Sequence, residues 1–174
     1  MSVRETAMAR TADEIRAEIR AAFAARPYPG DGRLASGPVY VGDEGDENGD
    51  VERFFRGKDW REVTLDAILG GRALQPNSFL FFLSPEAFVY YLPAFLIASL
   101  DIDNRFDLGE PLAFKLMPER EDHARITAQL TPAEKRAVAH ALEHLAREYE
   151  KRRYTTNQAQ AALDSAWGRF AKDL

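Results

Sequence analysis

The chain has 174 residues, a formal net charge of −5 and no cysteine. At this length one domain buries about 70% of its unfolded surface and folds without staples, while the missing cysteines exclude a disulfide framework and any thiolate zinc site and make the reducing cytoplasm the expected compartment. Six of the negative charges, Asp43, Glu44, Asp46, Glu47, Asp50 and Glu52, fall within ten residues, so the remainder is close to neutral, shows no basic patch, and is not expected to bind nucleic acid.

In chain order, MSVRETAMARTADE holds no apolar run of the signal-peptide kind, and residues 1–10 read as a flexible N-terminus to a single domain over 1–174. Thr11 with Glu14 three residues on makes a capping box. Ile15, Ile19, Ala22 and Phe23 then recur at helical spacing, which predicts an amphipathic first helix ending before Pro27. PYPGDGRLASGP is an irregular segment, and Val39, Tyr40 and Val41 fit a brief strand.

The acidic run follows, as an expected loop over 42–50. Asp50 is placed to cap a short helix holding Val51, Phe54 and Phe55, closed by Gly57. Glu44, Asp46, Asn48, Gly49 and Val51 also fit early positions of a calcium loop, but the position that needs a bidentate Glu is Phe55. The remaining alternatives are a solvated loop and a partner-binding surface, since six carboxylates on one loop attract a basic protein at long range. Asp59 and Glu62 mimic a second capping box, after which Trp60, Val63, Ala67 and Ile68 share a helical face up to Gly70 and Gly71.

The most apolar stretch is Phe79 to Leu100. Ser84, Pro85 and Glu86 signal a helix start, with Ser as N-cap, Pro at the first position and Glu where the macrodipole favours an anion. Phe88, Tyr91, Leu92, Phe95 and Leu96 occupy one face and Val89, Ile97 and Leu100 the other, so the helix belongs in the middle of a domain. A membrane span is not expected: Ala87 to Leu100 is uncharged for only 14 residues, and Pro93 interrupts it. Pro93 is expected to kink or restart the helix. Tyr90 and Tyr91, with Glu86 one turn earlier, make this bend the expected place for a buried polar network and, as a second functional reading, for an enzyme site. Leu112 to Met117 is ambiguous between strand and connector.

Thr131, Pro132 and Glu134 open the clearest helix, with an apolar stripe of Val138, Leu142, Leu145 and Tyr149 and with Lys151, Arg152 and Arg153 at its C-terminal dipole. Its HALEH run matches the H-x-x-E-H pattern of inverted zinc peptidases. His140 and His144 lie opposite the stripe, however, so a solvated face is expected rather than a metal site. His123 reads as a surface residue. A last helix from about Asn157 carries Ala159, Leu163, Ala166, Trp167 and Phe170. The predicted fold is all-α, four to six helices around the Phe79 to Leu100 segment.

No G-x-S-x-G, phosphate loop or identifiable base partner supports nucleophile chemistry, and no cofactor is implied. FFRGKDW, FLSPEAFVYYLPAFLI and LTPAEKRAVAHALEHL together resemble a family of small bacterial proteins catalogued as a domain of unknown function, over roughly Val51 to Leu145. The resemblance implies a bacterial protein and brings no reaction or site residue. The functional expectation is a cytoplasmic binding module, in its sharpest form an immunity or antitoxin protein, that meets a basic protein partner through Asp43, Glu44, Asp46, Glu47, Asp50 and Glu52, with Tyr40 or Phe55 as anchors. A third reading gives the apolar stretch a peripheral membrane or scaffold role.

Overall fold

In the computed structural model, which describes residues 9–40, 46–70, 76–102 and 106–172, every regular element is helical. Helix α1 spans Ala12–Ala22 and starts with the expected capping box: the Glu14 N–H donates to Thr11 Oγ1 at 3.3 Å and the Thr11 N–H to Glu14 Oε2 at 2.8 Å. Its face of Ile15, Ile19 and Phe23 is fully buried. Helix α2 is Glu47–Phe55, α3 is Leu65–Gly70, α4 is Pro76–Phe82, α5 is Pro85–Ser99, α6 is Gly109–Lys115, α7 is His123–Gln129, α8 is Pro132–Lys151 and α9 is Gln158–Ala162. The described residues thus hold nine α-helices, more than the four to six expected, because short helices occupy segments read as connectors.

Helix α5 lies at the centre. Ser84 caps it by accepting from the Ala87 N–H at 3.1 Å, while its own hydroxyl donates to the Arg33 carbonyl at 2.5 Å. One side chain therefore starts the helix and ties down the irregular segment before α2. An isolated antiparallel bridge, Ala35 to Leu83, completes that strap, with the Ser84 N–H donating to Leu34 O and the Ser36 N–H to Phe82 O, each at 2.8 Å. Helices α1, α6, α7 and α8 all pack on α5. Phe88, Val89, Tyr91, Leu92, Phe95 and Leu96 are fully buried, which is the all-round burial that its all-round apolarity requires. Pro93 lies inside α5, and the helix runs through it without restarting.

Burying such side chains contributes about 1.5–3 kcal/mol each. The ring of Phe55 meets Phe79 at 5.3 Å, Tyr91 at 4.4 Å and Phe95 at 6.2 Å between centroids, so α2, α4 and α5 share one aromatic centre. The core is a single cluster reaching from Ile15 to Trp167. Among the described residues, no helix is long and apolar enough to cross a membrane.

Three local expectations are corrected. The helix expected from Trp60 is a 3-10 turn over Trp60–Glu62, then extended Val63, then α3; the Asp59–Glu62 capping box is real but feeds only that turn. Leu112 to Met117 is mostly helical, in α6. Val39 and Tyr40 form no strand, and Val41 lies outside the described residues.

Candidate functional site

The acidic run is not one loop. Asp43 and Glu44 lie outside the described residues, and α2 begins at Glu47 rather than being capped by Asp50. Asp46 is buried, and its Oδ2 accepts from the Tyr40 N–H at 2.9 Å. Asp50 pairs with Arg53, and Glu52, also buried, pairs with Arg56 at 3.2 Å. Of these four only Glu47, at the start of α2, is exposed. Phe55 is fully buried and is excluded as an anchor, and its place in the core also rules out the calcium-loop geometry. Val39 and Tyr40, by contrast, are 41% and 60% exposed. The Asp46 carboxylate holds the Tyr40 backbone beside the start of α2, so two large apolar side chains stand at an acidic edge.

Just before Pro93, tyrosine hydroxyls meet backbone groups. Tyr91 Oη lies 2.8 Å from Phe55 O and 2.9 Å from Lys58 O, so its one proton is shared between two carbonyls at the end of α2, of which Phe55 O also accepts from the Lys58 N–H at 3.1 Å. Tyr28, which carries no local motif to single it out, accepts from the Gly57 N–H at 2.9 Å and donates to Asp31 Oδ1 at 2.6 Å. Its ring meets Tyr90 edge-on at 5.4 Å. Burial pushes all three phenols above their ordinary value, Tyr91 most of all. Such hydroxyls hold backbone together and are poor bases or nucleophiles. Glu86 is not part of this network: it faces α7, where Arg125 approaches to 3.5 Å.

Past Pro93, Ala94 and Ile97 line an open cleft of about 390 Å³ with Arg16, Arg20, Arg61 and Asp101. Arg16 pairs with Asp101 at 2.6 Å, so its charges are largely cross-paired, and no imidazole lines it.

The solvated face expected for the histidines of α8 is also corrected. His140 is 1% exposed, because α1 and the C-terminal segment cover the side of α8 opposite its stripe. Its Nδ1 lies 2.8 Å from Glu18 Oε2 and its Nε2 lies 3.3 Å from Ala171 O. His144 is half-buried, and burial holds its pKa below the usual imidazole value. With His140 committed to α1 and the C-terminal segment, the HALEH run does not converge on one point. Among the described residues, no group of three or more His, Asp or Glu side chains is placed to hold a metal. His123 is half-buried, not superficial: its Nδ1 is 3.0 Å from Leu116 O, which also accepts from Trp167 Nε1 at 2.8 Å.

The expectation that the chain has no basic patch is corrected as well. Lys135 and Arg136 of α8 meet Arg169 and Lys172 of the C-terminal segment around a groove of about 380 Å³, completed by Pro132 and Phe170. Among the described residues, no carboxylate lines it. Sequence offered no signal, because the two pairs lie more than thirty residues apart.

A family model described as a family of unknown function (DUF6714) matches residues 11–170. No curated protein and no solved structure matches the chain.

Proposed function

The chain belongs to this family of unknown function, and from that premise we propose that it is a protein-binding module whose partner carries a basic surface around an apolar pocket. The observation that supports this is Tyr40, 60% exposed beside Val39 and held by Asp46 at the acidic start of α2. A large aromatic kept in water has a small ordering cost on binding, and Tyr is among the residues that anchor interfaces. The exposed charge of Glu47, with Asp43 and Glu44 preceding it in sequence, adds long-range attraction for a basic partner. Asp46 also holds the Tyr40 backbone, and Asp50 and Glu52 pair with Arg53 and Arg56 along α2. A cytoplasmic immunity or antitoxin role is the sharpest form of the proposal.

The test is affinity capture from the native cell with the intact chain as bait, followed by binding measurements at several salt concentrations. Tyr40→Ser should weaken the captured complex at least tenfold, since anchor residues contribute about 2 kcal/mol or more. Asp43→Asn, Glu44→Gln and Glu47→Gln together should slow association and flatten its salt dependence. If both variants bind the captured partner as the parent does, this surface is not the interface.

A further inference from the structure

We propose that Thr155, in the turn between α8 and α9, is a phosphorylation site for a protein kinase that recognises basic sequence. The turn reads KRRYTT over residues 151–156, and every one of these residues is exposed. Helix α8 closes through paired backbone bonds, from the Arg153 N–H to Glu150 O at 3.0 Å and from the Tyr154 N–H to Tyr149 O at 3.1 Å. That closure puts the residue after the cap in the left-handed region, a place that glycine fills without a steric penalty. Here it is Arg153, with φ of 57°, and among the described residues no other non-glycine residue has a positive φ.

The dipole of α8 accounts for cations at Lys151 and Arg152, in its last turn and at its cap, but it requires none at a strained position beyond the cap. The strain at Arg153 is therefore kept for its exposed side chain, which serves something outside the fold. Arg152 and Arg153 stand three and two residues before Thr155. A kinase whose peptide groove is lined with carboxylates takes guanidinium groups by charge-assisted hydrogen bonds and selects its substrates by such charge patterns. Residues 155–157 form no regular element, so the hydroxyl is presented without unwinding a helix. Its neighbour is less ready, because Thr156 Oγ1 already donates to Glu110 Oε2 at 3.3 Å. In the transfer, Thr155 Oγ1 bonds to the γ-phosphorus of a kinase-bound nucleoside triphosphate while the bond from that phosphorus to the bridging oxygen breaks. The nucleoside diphosphate leaves, and the hydroxyl proton passes to the kinase's catalytic carboxylate. The turn gains about −1.5 to −2 of charge beside its three cations.

Incubating the full chain with magnesium ATP and a serine/threonine kinase selective for basic sequence tests the proposal, with fragment mass spectrometry to locate the phosphate. Phosphate should appear on Thr155; Thr155→Val should abolish it, and Thr156→Val should leave it in place. Arg152→Gln with Arg153→Gln should slow transfer at least tenfold. Arg153→Gly separates recognition from folding, since glycine relieves the backbone strain: the variant should melt no lower than the parent and still be modified severalfold more slowly. The chain recovered from its native cell with phosphatases blocked should carry the same phosphate. The proposal is overturned if the phosphate falls on another residue, if the arginine variants are modified at the parent's rate, if a kinase selective for acidic sequence modifies Thr155 faster, or if the chain from the native cell carries no phosphate on Thr155.

Discussion

Glu134 joins the end of α1 to the start of α8, and its removal should be the most costly single loss of charge in the described structure. Its carboxylate is 4% exposed and accepts from Arg26 Nε at 2.7 Å and Arg26 Nη2 at 2.5 Å, and its Oε2 also accepts from the Thr131 N–H at 2.8 Å. Breaking a fully buried ion pair costs about 3–5 kcal/mol, chiefly because the surviving charge is stranded. Arg26 is 15% exposed and keeps its bond to Gln129 O at 2.8 Å, so the stranding is incomplete. Glu134→Ala should therefore cost about 2–3 kcal/mol, lowering Tm by about 4–10 °C for a chain of this size. Glu134→Gln, which keeps one acceptor, should cost about half as much.

The pH dependence gives an independent check. Burial alone would raise the Glu134 pKa, but the Arg26 guanidinium and the Thr131 N–H outweigh it and hold it below the ordinary 4.5. A carboxylate with a lowered folded pKa contributes stability that is fully present above its unfolded value and is lost as pH falls through the folded one. The parent should thus lose this contribution below about pH 4.5, and Glu134→Gln should show a shallower acid limb in urea titrations followed by circular dichroism. A loss under about 0.5 kcal/mol in Glu134→Ala, or superimposable acid limbs, would refute the reasoning.

Tyr91→Phe removes the hydroxyl donor shared by Phe55 O and Lys58 O, of which Phe55 O keeps the Lys58 N–H, and should cost about 1 kcal/mol by urea unfolding. Because burial raises the Tyr91 pKa, its stabilising contribution is present below the unfolded value of 10.0 and lost as pH rises above it, so the parent should unfold more steeply in alkali than the variant. Gly109→Ala should destabilise by about 2 kcal/mol, since a Cβ there would overlap the Tyr149 hydroxyl that donates to Asp107 at 2.7 Å. Gly70→Ala, where among the described residues no atom beyond the chain neighbours and the helix's own backbone lies within 4 Å of the added carbon, should be neutral or stabilising by thermal melts.

Features that depend on a few consecutive residues were legible in the sequence. The caps at Thr11, Asp59, Ser84 and Thr131 all form, because each needs only a side chain and the N–H groups just after it. The centrality of α5 was legible for a similar reason, since a helix apolar on every face has nowhere else to go. Features that depend on a second layer were not. His140 lies opposite an apolar stripe, yet α1 and the C-terminal segment cover it, and nothing within α8 announces that cover. Acidic density along the chain overstated acidic density in space, because local arginines and the Tyr40 backbone take up three of the four described carboxylates. The basic groove was hidden for the converse reason: its cations come from two distant segments and exist as a cluster only after folding.

The pairing of α1 with α8 has a consequence for how the chain reaches its fold. Arg26 meets Glu134 across 108 positions and Glu18 meets His140 across 122. At about 5–20 residues per second, a ribosome takes roughly 6–25 s to supply the missing partner. Until α5 and then α8 are made, the stripe of Ile15, Ile19 and Phe23 lacks the surfaces that bury it in the finished fold. Transiently exposed apolar surface of this kind is aggregation-prone, so the order of synthesis, with α1 first and α8 late, bears on folding as well as the stability of the finished bundle.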